Sequence, residues 1–372
     1  MSQSHKSAFV PTQGIYMLNH SVGRPPKTSC EAYRRDFFDV WENAGEDVWP
    51  RWLESVEGFR AALAEMLNGQ FECFCPQVNL SSALTKILYS LPVREGRRTI
   101  VYTEHDFPSM AFVLQQAQRA GYQLRPIPAD VDTLDLTNWS GYLTQDVAFL
   151  LLTHVHSNTG AQVPVADISA LAREMGIFSI VDIAQSVGCV PINLHDWQVD
   201  FVVGSCVKWL CGGPGAGFMW VNPQRVMECE PIDVGWFSHE NPFEFDVHDF
   251  RYAGDALRFW GGTPSVQPYV TAANSIRLLL DIGITTIREH NLQLTQQIVD
   301  AVDGGNLVTP AQPQCRGGTL VLNYAGDQQQ VVCARLQQAE VLFDARSTGI
   351  RLSPHIYNDA EEIAIVLNCL PA

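Results

Sequence analysis

The sequence predicts an α/β protein: a mainly parallel sheet with helices on both faces, followed by a smaller α+β domain. Three observations predict it. Short apolar runs of strand length alternate with helical patterns through the first two thirds of the chain, the signature of strand–helix–strand units. From about Ser265 that alternation gives way to two long helical patterns and then to short strands. Between the two regimes, Gly261-Gly262-Thr263-Pro264 breaks both kinds of period.

In chain order, apolar residues at helical spacing predict a helix over 56–67 and another over 83–88, the second opened by Asn79-Leu-Ser81-Ser82. A strand follows at 99–102, then a helix over 108–120 with Pro108 in its first turn. Apolar runs at 147–152, 177–183, 201–204 and 217–221 read as buried strands. Beyond the glycine break, helical patterns cover 266–280 and 285–302, strands 319–323, 341–344 and 350–352, and a last helix 360–367. These patterns divide the chain into residues 1–50, a large domain over 51–262 and a small C-terminal domain over 263–372.

Composition narrows the function. The net charge of −16 argues against a nucleic-acid protein, because phosphate backbones are bound by clustered lysine and arginine. The N-terminal Met1-Ser-Gln-Ser-His-Lys6 carries no apolar signal segment, and no uninterrupted apolar stretch is long enough to span a bilayer. Ten cysteines in such a chain read as reduced thiols, so a soluble cytoplasmic enzyme is expected. Cys73-Phe-Cys75 has no matching second pair, and no metal site is expected. His154-Val-His156 reads as loop polarity at a strand end.

Lys208 is one of only four lysines, with Lys6, Lys27 and Lys86. It follows an apolar strand and precedes a glycine-rich turn, in Ser205-Cys-Val-Lys208-Trp-Leu-Cys-Gly-Gly-Pro-Gly-Ala-Gly217. An ammonium is costly to bury among apolar neighbours; desolvation lowers its pKa and makes it an amine nucleophile fit for a Schiff base. A lysine snorkelling from a strand end to solvent is the other reading. Asp182 ends the apolar strand 177–183, a position that faces the ligand crevice in open α/β sheets, although an aspartate there also suits a helix N-cap. A lysine for the aldehyde and a carboxylate for the ring nitrogen are the two groups that pyridoxal 5'-phosphate (PLP) needs.

With both residues in view, the chain resembles the class V aminotransferase group of fold type I PLP-dependent enzymes, and within it the kynureninase-like branch. The resemblance runs along essentially the whole chain. It is carried by Asn193-Leu-His-Asp-Trp-Gln-Val-Asp-Phe201 leading into Lys208, by Val234-Gly-Trp-Phe-Ser-His-Glu240, and by the opening Tyr16-Met-Leu-Asn-His-Ser-Val-Gly-Arg-Pro-Pro26. It implies an N-terminal arm packed with the small domain, catalysis by Lys208 and Asp182, and PLP phosphate contacts from Ser81, Ser82, Ser205 and Trp236. Phe107 would stack on the ring, with Thr153 and Gln185 lining it. Thr263 would reach the phosphate of a neighbouring subunit, which implies a homodimer with a shared active site. Arg351, in Gly349-Ile-Arg-Leu-Ser-Pro-His-Ile-Tyr-Asn358, matches the site for a substrate carboxylate, with Asn19 and His20 on the substrate side.

Four positions depart from kynureninases. The residue before the lysine is Val207 rather than tyrosine, Met110 replaces an aspartate, Gln185 replaces a histidine, and Thr263 replaces a substrate-side asparagine. The loop Phe343-Asp-Ala-Arg-Ser-Thr-Gly349 before Arg351 has no cysteine for desulfuration, and Cys315 comes too early. The sequence thus predicts a PLP-dependent enzyme that acts on a small amino acid through a Schiff base at Lys208, by transamination or β-carbon cleavage. The alternatives are a non-catalytic PLP-fold scaffold and a cysteine desulfurase-like lyase.

Overall fold

A computed structural model describes residues 5–43, 45 and 47–371 of the chain. Its main sheet has seven strands: β1 (Phe74–Gln77), β2 (Thr99–Thr103), β3 (Gln123–Ile127), β4 (Val147–Thr153), β5 (Phe178–Asp182), β6 (Phe201–Ser205) and β7 (Gly217–Val221). Their order is β1-β7-β6-β5-β4-β2-β3. Strands β2 to β6 are mutually parallel, and β7 runs antiparallel to both β1 and β6. The mainly parallel sheet expected from sequence is therefore present.

Side chains alternate across this sheet into two separate cores. The alternation is clearest in β4: Leu150 and Leu152 join one core, Phe149 and Leu151 the other. Val147 and Ala148 fall out of step because the register between β2 and β4 shifts there. The edge strands β1 and β3 contain Pro76 and Pro126. Proline lacks the N–H a central strand must donate, so it is tolerated only at an edge. That is also why neither strand stands out in the sequence.

The helices of eight residues or more are α1 (Trp49–Leu67), α2 (Leu80–Leu88), α3 (Pro108–Ala117), α4 (Val165–Glu174), α5 (Gln267–Ile282), α6 (Ile284–Ala301), α7 (Asp327–Gln338) and α8 (Ala360–Cys369). The expected helix 56–67 starts seven residues earlier, with Pro50 in its first turn. The expected helix 108–120 tightens to a 3₁₀ turn at Gln118–Ala120 and stops at Gly121, whose φ of 87° ends it. Helices α5 and α6 break at Gly283, with φ 92°. No single helix among the described residues is long and apolar enough to cross a membrane.

A second, antiparallel sheet contains β8 (Leu320–Leu322), β9 (Asp344–Arg346) and β10 (Gly349–Leu352), in the order β9-β10-β8. The single strand expected over 341–344 is divided: Val341–Leu342 pairs in parallel with Ile15–Tyr16, and β9 turns to pair with β10. Ile15 and Met17 share a third core with Leu320, Leu322, Ile350 and Leu352. His154 and His156 differ from expectation. Both rings are buried, and burial pushes each pKa down to about 3, so they are neutral core imidazoles rather than loop polarity.

The N-terminal segment reaches the turn after β6. Gly23 N–H donates to the Val207 carbonyl at 2.8 Å, and the Gln185 side chain donates to the His20 carbonyl at 3.0 Å. A Cβ on Gly23 would lie 2.0 Å from the Lys208 carbonyl oxygen and 2.7 Å from Cys211 Sγ. Gly23→Ala should therefore cost ~1–3 kcal/mol through overpacking. The check is a lower denaturant midpoint; an unchanged midpoint would mean that the segment does not pack on the Lys208 turn in solution.

Candidate active site

Strands β4, β5 and β6 are adjacent and parallel, so their carboxyl ends bring Thr153, Asp182 and Ser205 side by side. The turn after β6 adds Lys208. Asn79 and Ser81 come from the start of α2, and Phe107 from the start of α3. Together with Gln185 these residues line one cavity of about 190 Å³. Its wall also includes Leu80, Ser109, Met110, Val155 and Ser157, which sequence reasoning did not assign to the site. A larger cavity of about 600 Å³ opens around Phe178, Trp220 and Arg225 and contains none of the predicted site residues. Convergent polar groups, not volume, identify the site.

Two lysines are withdrawn from solvent, and their surroundings separate them. Lys86 Nζ donates to the carbonyls of Phe259 at 2.7 Å and Trp260 at 3.2 Å and lies 3.5 Å from Asp233. Its protons are committed to structure. Lys208 Nζ faces the Phe107 ring, 5.4 Å from its centroid, and gains no hydrogen bond among the described residues. Burial pushes its pKa down to about 8, against the pull of Asp182 and with help from Arg351. A fraction of Lys208 is therefore a neutral amine near neutral pH.

Asp182 is buried, and one of its oxygens accepts from the Ala184 N–H at 2.8 Å. It thus makes the cap-like contact and still has a second oxygen. Burial raises its pKa, while the Ala184 N–H and the Lys208 charge oppose the rise. Thr153 Oγ1 is buried without a hydrogen bond of good geometry. Asp106, just before Phe107, is a second buried carboxyl beside this group; burial pushes it up to about 7, with the Asp182 charge adding to the shift. Gln185 lines the cavity, but its amide is occupied: Nε2 donates to His20 and Oε1 accepts from Trp209 Nε1 at 3.2 Å.

At the other end of the cavity Asn79 caps α2, its side chain accepting from the Ser82 N–H at 2.9 Å. Ser81 reaches the cavity. Ser82 does not line it, and its N–H is taken by the cap. Ser205 lines the cavity. Trp236 and Thr263 contact each other, Nε1 donating to Oγ1 at 3.2 Å, on an exposed surface outside the cavity.

Arg351 is neither on an open edge nor free. Its Nε donates to Asp344 Oδ1 at 2.7 Å, its Nη2 to Asp344 Oδ2, and its Nη1 to the Ser157 carbonyl at 2.9 Å. The guanidinium expected to wait for a substrate carboxylate already holds one from its own chain. His20 joins this pair, Nε2 to Asp344 Oδ1 at 3.0 Å, and does not line the cavity. Asn19 also lies outside it, its Oδ1 accepting from the Tyr357 hydroxyl. Asp344 was missed from sequence. The available signal was two short strands, 341–344 and 350–352, close enough to form a hairpin that sets an aspartate opposite Arg351.

The cavity offers an amine with no hydrogen bond, a buried carboxylate with a spare oxygen, a threonine hydroxyl, an aromatic face and the N-terminus of α2. This donor set fits pyridoxal 5'-phosphate: Lys208 for the aldehyde, Asp182 for the ring nitrogen, and Ser81 with the α2 N-terminus for the phosphate.

Comparisons with known proteins identify the family. The family model for aminotransferase class-V matches residues 47–366. An uncharacterized aminotransferase of Bacillus subtilis, YcbU, is 28% identical over 330 residues, covering 88% of this chain and 86% of that protein. The kynureninase of Bacillus thuringiensis subsp. konkukian is 27% identical over 381 residues, covering 96% and 88%. Among solved structures, the cysteine desulfurase of Thermococcus onnurineus NA1 superposes with a TM-score of 0.87 at 21% identity, covering 99% of this chain and 97% of that one. The cystine C-S lyase C-DES gives 0.85 at 21%, covering 96% and 97%. At these identities the two structures show the fold, and the family match shows the rest: the chain belongs to the aminotransferase class-V family.

Proposed function

We propose that this chain is a PLP-dependent enzyme that acts on a small amino acid with Lys208 as its catalytic amine, by transamination or by cleavage at the β-carbon. The observation that carries the reading is the pairing, in one cavity, of an amine without a hydrogen bond and a buried carboxylate. Bound PLP supplies an aldehyde for covalent capture of an amine and a ring that takes up electrons released at the α-carbon. Lys208 would hold the aldehyde, and its Nζ would take and return the α-proton. Asp182, with its spare oxygen, would keep the ring nitrogen protonated. Phe107 would cover one face of the ring, and Arg351 would orient the substrate carboxylate with the N–H groups it has left. The desulfurase-like alternative is not favoured, because Cys315 does not line the cavity and 343–349 contains no cysteine. An amino-acid screen by visible spectrum, followed by product identification, tests the reading and assigns the reaction. An absence of spectral change with every amino acid would reject it.

The finer features belong to the same proposal. We divide the chain into an arm (1–50), a large domain (51–262) and a small domain (263–372); the core shared by Ile15 and Met17 with β8 and β10 supports the arm's place. Ten free cysteines support a reducing, cytoplasmic setting. A homodimer with a shared site explains why Trp236 and Thr263 meet outside this chain's cavity. Phe243, Phe245 and Val247, exposed by 43%, 71% and 89%, continue that surface as apolar area for a second copy to cover.

Three outcomes are expected. Lys208→Ala should lose the visible band and the borohydride-reducible adduct, with turnover down by a factor of ~10²–10⁴ or more. Lys86→Gln should keep the adduct while losing stability. A surviving adduct in Lys208→Ala would reassign the anchor.

The rate of PLP uptake by the apoprotein should rise with pH and level off above a midpoint near 8. The amine is the nucleophile and the ammonium is not, so the rate falls about tenfold per unit below that midpoint. An ordinary lysine would still be gaining rate above about pH 9.5; such a profile would mean that Lys208 is not desolvated.

Mixing Lys208→Ala chains with Thr263→Tyr chains, each inactive alone, should restore up to one working site per mixed dimer. In that dimer one site collects both defects and the other neither. Confirmed subunit exchange without recovered activity would show that each site is built from one chain.

A further inference from the structure

Asp344 and Arg351 stand directly opposite in the antiparallel pair β9–β10. Asp344 is held on two sides, by the Nε edge of Arg351 and by His20. Burial lowers the His20 pKa below its ordinary value, with the Asp344 contact opposing, so the ring is neutral near pH 7. An ionised carboxylate only accepts, and its pairing with Arg351 and His20 keeps Asp344 well below the usual carboxylate range despite partial burial. His20 Nε2 therefore carries the hydrogen, and Nδ1 accepts from Ser353 Oγ at 2.6 Å. Ser353 in turn contacts Thr319 Oγ1 at 2.8 Å, and Arg346 reaches Asp344 from the solvent side at 3.4 Å. The aspartate is locked on the arginine.

A guanidinium has five N–H donors. Asp344 takes the one on Nε and one on Nη2, and the Ser157 carbonyl takes one on Nη1. One N–H remains on Nη1 and one on Nη2, beside Ser157, which lines the cavity although Arg351 itself does not. Without Asp344 the Nε edge would compete for the incoming carboxylate and hold it at another angle to Lys208. We propose that Asp344 is a positioning residue that sets carboxylate recognition: it occupies the Nε edge of Arg351 and so directs the remaining two N–H groups at one carboxylate. This rests on the assignment of Arg351 to the substrate carboxylate.

The test titrates the PLP-loaded protein with L-alanine, L-methionine and L-phenylalanine and with their carboxamides, reading dissociation constants from the visible band. Thermal midpoints of the apoproteins are measured beside them. The wild type should bind each acid more tightly than its amide, and Arg351→Ala should erase the preference. Asp344→Asn should shrink the amide-to-acid ratio of dissociation constants at least tenfold, and Asp344→Glu should recover part of it. His20→Gln, which touches Asp344 but not Arg351, should give a smaller fall. General loosening would weaken acid and amide alike and leave the ratio unchanged. An unchanged or larger ratio in Asp344→Asn overturns the proposal; a larger one means that Asp344 competes with substrate. A wild-type ratio untouched by Arg351→Ala overturns the Arg351 assignment, and no spectral response to any ligand overturns the enzymatic reading itself.

Discussion

Lys208 and Asp182 are two groups that water would ionise, placed where little water reaches. Their ionised forms are disfavoured for the same reason, and the charge on each relieves part of the other's cost. Much of the site can be understood as support for that arrangement. Three parallel strands end together so that their loops enclose the pair, and the two cores behind the sheet keep the strand ends in register. The Ala184 N–H lessens the cost of the carboxylate without pairing it fully. Phe107 covers the amine with a face that attracts a cation but accepts no strong hydrogen bond, so the lysine stays available.

Arg351 follows a different rule. Its charge is matched within its own hairpin before any ligand arrives, and the second buried carboxyl, Asp106, relieves its position by a raised pKa instead. In and around the cavity there are thus groups with their charge paired, groups partly relieved and one amine left open. Chemistry is concentrated on the last.

What was legible in the sequence follows from how local each signal is. The apolar runs of the central strands were readable because a strand buried on both faces is apolar at nearly every position, whereas β1 and β3 were hidden by prolines that only their edge places permit. Lys208 and Asp182 could be found because an ionisable residue inside an apolar run is conspicuous. Lys86 was not singled out, although it too is buried, because its partners are backbone carbonyls about 173 residues away that no local pattern displays. The same limit explains Asp344: its charge was plain in the chain, but its meaning depends on the hairpin register that sets it against Arg351. His154 and His156 looked like surface polarity because their burial comes from remote packing, such as Trp197 against the His154 ring at 4.8 Å.

The N-terminal segment joins positions that lie far apart along the chain. Tyr357 meets Asn19 across 338 residues, His20 meets Ser353 across 333, and Lys6 meets Glu362 across 356. During synthesis the sheet around Lys208 can assemble while those closing partners are still inside the ribosome, since domains generally fold as units as the chain emerges. An incomplete chain would therefore carry the strands of the site without the contacts that fasten the N-terminal segment beside them.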